Sequence, residues 1–96
     1  MNDVIWIHKS RARHAWYGLD ERQRAEFAET WHAADRRGAG AGAELIGRYS
    51  VRGQSDFSTV EVWSFASVED VFAFWENRVS AGYTRWFAFE NLFGTR

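Results

Sequence analysis

The chain has no cysteine and no proline among its 96 residues. Without cysteine there is no disulfide framework, no thiolate nucleophile and no cysteine-based metal site. Without proline no folding step waits on prolyl isomerisation. Long apolar runs are missing as well. Charges begin at Asp3, Lys9 and Arg11, so nothing reads as a membrane span or a signal peptide, and a cytoplasmic location is the default expectation. Charge of one sign is also lacking: twelve Lys and Arg stand against thirteen Asp and Glu, a net charge of −1. A protein built to neutralise phosphates needs a basic surplus. The expected partners are therefore neither nucleic acid nor membrane.

What is abundant is aromatic surface. Six Trp, eight Phe and three Tyr make up 18% of the chain. A domain of this size hides only roughly 60–68% of the surface its unfolded chain exposes. A second subunit or a ligand is expected to cover part of the remainder.

Hydrophobic periodicity divides residues 1–96, read as one domain, into alternating strands and helices. Val4 to His8 reads as a strand and Ser10 to Leu19 as a loop. Asp20 is a good N-cap, and Gln23 completes a capping-box-like pair. Phe27, Ala28, Trp31 and Ala34 then recur at helical spacing, and Gly38 is the expected stop. The stretch Gly38-Ala39-Gly40-Ala41-Gly42 is not a phosphate loop, since it closes a helix instead of opening one; it reads as a linker. Two strands, roughly Glu44 to Val51 and Ser58 to Phe65, flank a turn-rich segment and form a hairpin. Ser67 caps a second helix whose predicted buried stripe is Val68, Val71, Phe72, Trp75 and Val79, with Phe74 off the stripe. Gly82 ends that helix, and a last strand runs from about Arg85 to Phe93. Strand, helix, strand, strand, helix, strand is the ferredoxin-like α+β order. The resemblance to that fold implies a four-stranded antiparallel sheet ordered 4-1-3-2, with both helices on one face and the other face bare.

Alternation sorts each strand between faces. Taking the uniformly apolar positions as helix-facing puts Ile5, Ile7, Val60, Val62, Phe87 and Phe89 under the helices, with Leu45, Gly47 and Tyr49. Trp6, His8, Arg48, Glu61, Trp63, Trp86, Ala88 and Glu90 then lie on the open face. Three Trp with a His, an Arg and two Glu resemble a ligand cavity, where apolar walls hold a few placed polar groups. With the first strand between the fourth and the third, His8 is expected to neighbour Glu90 and Glu61. That arrangement suits proton transfer near neutral pH, with Arg48 binding a substrate anion. His8, Glu61 and Glu90 are the candidate catalytic residues. Trp6, Arg48, Trp63 and Trp86 are the candidate substrate-binding residues. One His and two carboxylates invert the iron facial triad, and no metal is expected.

The whole-chain order, with Val60-Glu61-Val62-Trp63-Ser64-Phe65 running into Ser67-Val68-Glu69-Asp70, resembles the dimeric α+β barrel superfamily. Trp16 to Phe27, Trp63 to Trp75 and Tyr83 to Glu90 are similar to darcynin-like proteins, a family without an established activity. The first resemblance implies a homodimer packed through its open sheet faces. It also implies an activity of the kind found among cofactor-free monooxygenases of antibiotic biosynthesis or polyketide cyclases. Haem-degrading members use an Asn, a Trp and a His ligand; Trp63 matches the Trp, but no His follows Asn77, and no cofactor is expected. Three readings stay open. One is an enzyme acting on a flat aromatic or polyketide-like molecule through His8. The second is a non-catalytic dimer binding a hydrophobic ligand, and the third is a purely structural dimer.

Overall fold

The computed structural model describes residues 2–40 and 42–96. In chain order the elements are β1 (Val4–Ala12), α1 (His14–Tyr17), α2 (Glu21–Gly40), β2 (Glu44–Ser50), β3 (Thr59–Phe65), α3 (Val68–Ser80), α4 (Tyr83–Trp86) and β4 (Phe87–Thr95). The four strands form one antiparallel sheet ordered β2-β3-β1-β4, as the resemblance to the ferredoxin-like fold implies. The fold is ferredoxin-like α+β.

Local chemistry sets the helix starts. Asp20 Oδ1 accepts from the Gln23 amide at 2.8 Å while Gln23 Oε1 accepts from the Asp20 amide at 3.1 Å. This reciprocal pair satisfies two amides that would otherwise lack partners at the start of α2. Ser67 Oγ accepts from the Asp70 amide at 3.2 Å and does the same for α3. Gly82 follows α3 at φ 90°, a left-handed conformation that glycine reaches without a Cβ penalty.

Several boundaries differ from the expected ones. The segment after Ser10 is not all loop: β1 continues to Ala12 and α1 follows. Residues 83–86 are a helical turn, so β4 starts two residues later than expected and Trp86 is not on a strand. Helix α2 runs through Gly38 to Gly40, which removes the linker reading there; Ala41 lies outside the described residues. Gly38 is no stop signal. A Cβ at this position would collide with the Phe74 ring, so the glycine lets α2 and α3 approach closely.

The largest correction concerns the two faces of the sheet. Trp6, His8, Glu61 and Trp63 are all at most 5% exposed and lie under the helices. Arg48 pairs with Glu61 across the β2–β3 ladder and shares that face. The open face carries the aliphatic positions instead, including Ile5, 41% exposed, and Leu92, 48% exposed, with half-buried Ile7, Val60 and Val62. β4 follows the expected assignment, with Phe87 and Phe89 packed toward the helices, and so does Leu45 of β2, which stands opposite Trp63 before a bulge inverts the rest of that strand. Area explains the inversion. A buried Trp removes roughly 150–250 Å² from water, or about 4–6 kcal/mol, against about 1.5–3 kcal/mol for a buried Ile. Burying the Trp pair outweighs burying the Ile pair, provided that the polar residues alternating with the Trp find partners inside.

They do, through α3. Its buried stripe is Val71, Phe74 and Arg78, not the stripe expected from apolar spacing: Phe72 and Val79 are 54% and 39% exposed, and Phe74 is 3% exposed. Phe74 packs against Trp6, Trp63 and Phe65 with ring centroids 4.7–5.7 Å apart. A second cluster gathers Trp31, Tyr83 and Trp86 with Trp16, Phe27 and Phe87 at the other end of the helical layer.

Candidate functional site

Arg78 is the centre of a polar cluster joining three elements. Its Nε and Nη2 donate to the two Asp35 carboxylate oxygens of α2 at 3.1 and 2.7 Å. Its Nη1 and Nη2 donate to the two Glu61 oxygens of β3, both at 3.2 Å. The guanidinium is 1% exposed and rests 5.0 Å from the Tyr83 ring centroid and 5.4 Å from that of Trp6. Glu61 Oε1 also accepts from Trp63 Nε1 at 3.0 Å and from Arg48 Nη2 at 3.2 Å.

The charges follow from this geometry. Burial alone would raise the Glu61 carboxyl, but the Arg78 charge and its hydrogen bonds outweigh burial and hold it at about 2. Burial likewise opposes the Arg78 charge, and its two carboxylates overcome that and raise its pKa. At Asp35 burial prevails over the guanidinium it shares with Glu61, and its carboxyl stands above the ordinary value. Glu61 and Arg78 are therefore charged throughout the physiological range.

His8 lies beside this cluster, 0% exposed. Its Nδ1 faces Asn91 Oδ1 at 2.6 Å and its Nε2 faces Tyr83 Oη at 2.7 Å. With Asn91 Oδ1 as acceptor, Nδ1 carries the hydrogen and Nε2 receives the Tyr83 hydroxyl proton. Burial lowers the imidazole pKa from 6.5 to about 4; the Asn91 bond opposes the shift and the nearby Arg78 charge adds to it. Burial pushes the Tyr83 hydroxyl up to about 12. Both groups are neutral at pH 7.

Two sequence-based expectations about His8 are corrected here. Its cross-strand neighbours are Glu61 and Asn91, not Glu61 and Glu90. Glu90 stands opposite Lys9, one position along β4, on the open face, where the two side chains form an exposed ion pair of 3.6 Å. The imidazole is also held neutral by burial instead of being kept near its ordinary pKa between two carboxylates. Trp6, Trp63 and Trp86 are core residues under the helices, not walls of an open-face cavity. Arg48 and Glu61 do come together, but on the helix side. Asp35, Arg78, Tyr83 and Asn91 complete the cluster and escaped the sequence reading. The available signal was Arg78 itself, which occupies the i+4 position after Phe74 on α3.

A cavity of about 300 Å³ opens between α2 and the sheet beside this cluster. Trp16, Trp31, Tyr83 and Phe87 line it, together with Arg48, Glu61, Arg78 and Asp35. Ser10, Thr59, Ala28 and His32 complete the lining. It is an aromatic-walled space with a charged floor. His8 is not part of the lining; the Tyr83 hydroxyl stands between it and the cavity side. Among the described residues no three His, Asp or Glu side chains gather as a metal site requires. Both His8 nitrogens are engaged, which leaves His8 no lone pair for a haem iron, and His32, exposed on α2, is the histidine that lines the cavity.

No family model matches the chain, and no curated protein sequence does. Solved structures do match. TA0507, assigned as a chlorite dismutase, aligns with 98% of this chain at 16% identity and a TM-score of 0.81. The chlorite dismutase of Candidatus Nitrospira defluvii, as its R173E mutant, aligns with 98% at 15% identity and a TM-score of 0.80. A NIPSNAP domain protein of Burkholderia xenovorans, itself uncharacterised, aligns with 97% at 13% identity and a TM-score of 0.55. The chain spans 43% and 40% of the two chlorite dismutase chains and 93% of the NIPSNAP protein. At these identities the likeness establishes the ferredoxin-like fold. No helix among the described residues is long and apolar enough to cross a membrane.

Proposed function

We propose that the protein binds a flat aromatic small molecule in the cavity between α2 and the sheet, as a homodimer joined through its open sheet faces. The observation that supports this most is the composition of the cavity. Its volume of about 300 Å³ lies at the lower end of ordinary ligand pockets. Four aromatic rings line it, together with the charged side chains of Asp35, Arg48, Glu61 and Arg78. Stacking on such rings rewards planar ligands. The dimer rests on a separate observation, the aliphatic open face.

The enzymatic reading with His8 as a direct base is less well supported. A base must come within hydrogen-bond reach of the proton it removes, and the His8 ring nitrogens face Asn91 and Tyr83. Glu90 is on the opposite face, and Glu61 is saturated by Arg78, Trp63 and Arg48. Binding therefore comes first in this reading.

The test is calorimetric titration with 2-naphthalenemethanol, a neutral bicyclic probe, on the wild type and on Ala28→Trp. Ala28 lines the cavity from α2 and is half-buried, so an indole there fills the space. Measurable binding by the wild type, lost in a variant that melts cooperatively, is the expected result. Absence of binding by the wild type overturns the reading.

A further inference from the structure

We infer that the cavity selects an anionic aromatic ligand, an aryl carboxylate, and that Arg48 is the residue that takes its carboxylate. This rests on the binding reading above and names the ligand class of the same cavity.

The argument begins with hydrogen-bond capacity. A carboxylate oxygen offers about two lone-pair sites. Glu61 Oε1 receives three donors: Trp63 Nε1 at 3.0 Å, Arg78 Nη2 at 3.2 Å and Arg48 Nη2 at 3.2 Å. One donor is in excess. Trp63 and Arg78 are 5% and 1% exposed and fixed by packing, whereas the Arg48 side chain is 49% exposed. Arg48 is the donor held least firmly. Its departure would leave Glu61 with Arg78 on both oxygens and Trp63 on one, so no buried carboxylate would be stranded.

The donors left on Arg48 point the same way. Arg78 uses all three of its nitrogens on Asp35 and Glu61, and Arg48 brings the second positive charge to the two carboxylates. Arg48 has one hydrogen bond to a side chain among the described residues, and a guanidinium carries five N–H donors. Its strand position is fixed, because Arg48 stands directly opposite Glu61 in the β2–β3 ladder. A planar fork with spare donors, anchored on a strand beside aromatic walls, matches a carboxylate bidentately while the attached ring lies against those walls. Asp35 and Glu61 disfavour an anion deeper in the cavity, which orients the ligand with its charge at the Arg48 end.

The experiment compares two isosteric probes, 2-naphthoate and 2-naphthalenemethanol, by calorimetric titration of the wild type and Arg48→Gln at fixed ionic strength. Expected is at least a tenfold preference of the wild type for naphthoate, weakening as salt rises. That preference should fall to less than twofold in R48Q, with Arg48→Lys restoring part of it. Thermal melts of the three proteins establish that each is folded. If the alcohol binds but naphthoate binds no better, or if R48Q keeps the preference, the inference is wrong while the cavity reading stands. If neither probe binds the wild type, both fall together.

Discussion

Neutral, buried His8 makes the fold acid-sensitive in a pH window of its own. In the unfolded chain the imidazole titrates at 6.5, and in the folded protein at about 4. Below pH 6.5 the unfolded state takes up a proton that the folded state refuses, so stability falls as pH falls. The decline continues until about pH 4, where the folded protein accepts the proton too. At about 1.36 kcal/mol per unit of pKa difference, the loss amounts to about 3 kcal/mol, a large part of the roughly 5–15 kcal/mol that holds an ordinary domain together. Glu61, also lowered, acts in the same direction but between 4.5 and about 2. Asp35, raised, acts the opposite way, since its folded form binds a proton more readily than its unfolded form. Urea denaturation at pH 7.5, 6.5, 5.5 and 4.5, at one protein concentration, covers the His8 window, and the difference between the wild type and His8→Gln gives the part that belongs to His8. The midpoint should drop by roughly 1–3 M across it. His8→Gln removes the titrating group and should flatten this decline while lowering stability at pH 7.5. A wild-type midpoint level from pH 7.5 to 4.5 would refute the reasoning, as would a His8→Gln protein that declines like the wild type.

Arg78→Met should cost about 3–5 kcal/mol by urea denaturation, because it strands two buried carboxylates; a cost under 1 kcal/mol would show that the cluster is hydrated. Ile7→Lys, on the aliphatic face, should convert a dimer of about 22 kDa, twice the 11.2 kDa chain, into a folded monomer by sedimentation. The wild-type interface should exceed about 1,000 Å², and a monomeric wild type at micromolar concentration removes the dimer proposal.

The architecture was legible because its signals are local. Asp20 with Gln23, Ser67 with Asp70, and the turn-rich segment between Arg52 and Phe57 mark element ends wherever the tertiary fold places them. The strand order followed from the resemblance to the ferredoxin-like fold. The faces were not legible, because a period of two identifies two sets of residues without saying which set is inside. Ile5 and Ile7 look like core beside Trp6 and His8 only while the polar members of the second set lack partners. Those partners come from afar: Arg78 is 17 residues from Glu61 and 43 from Asp35. The same arginine disguised the buried stripe of α3. A charge at the position that continues Val71 and Phe74 turned the apparent apolar face toward Phe72 and Val79. His8 and Glu61 were therefore recognised as neighbours while the environment assigned to them was inverted. Glu90 was put on the correct face and lost its place beside His8 through the same inversion, which sets His8 under the helices opposite Asn91 and leaves Glu90 opposite Lys9.

The bridging of α2, β3 and α3 by one guanidinium also constrains how this sequence can change over time. Replacing Arg78 alone leaves Asp35 and Glu61 buried without a counter-charge; replacing both carboxylates leaves the arginine buried alone. Every single-step route away from the trio passes through a less stable intermediate, although an all-apolar set of similar volume can be as stable as the charged one. The three positions are thus expected to vary together, with relatives carrying either the full charged set or none of it.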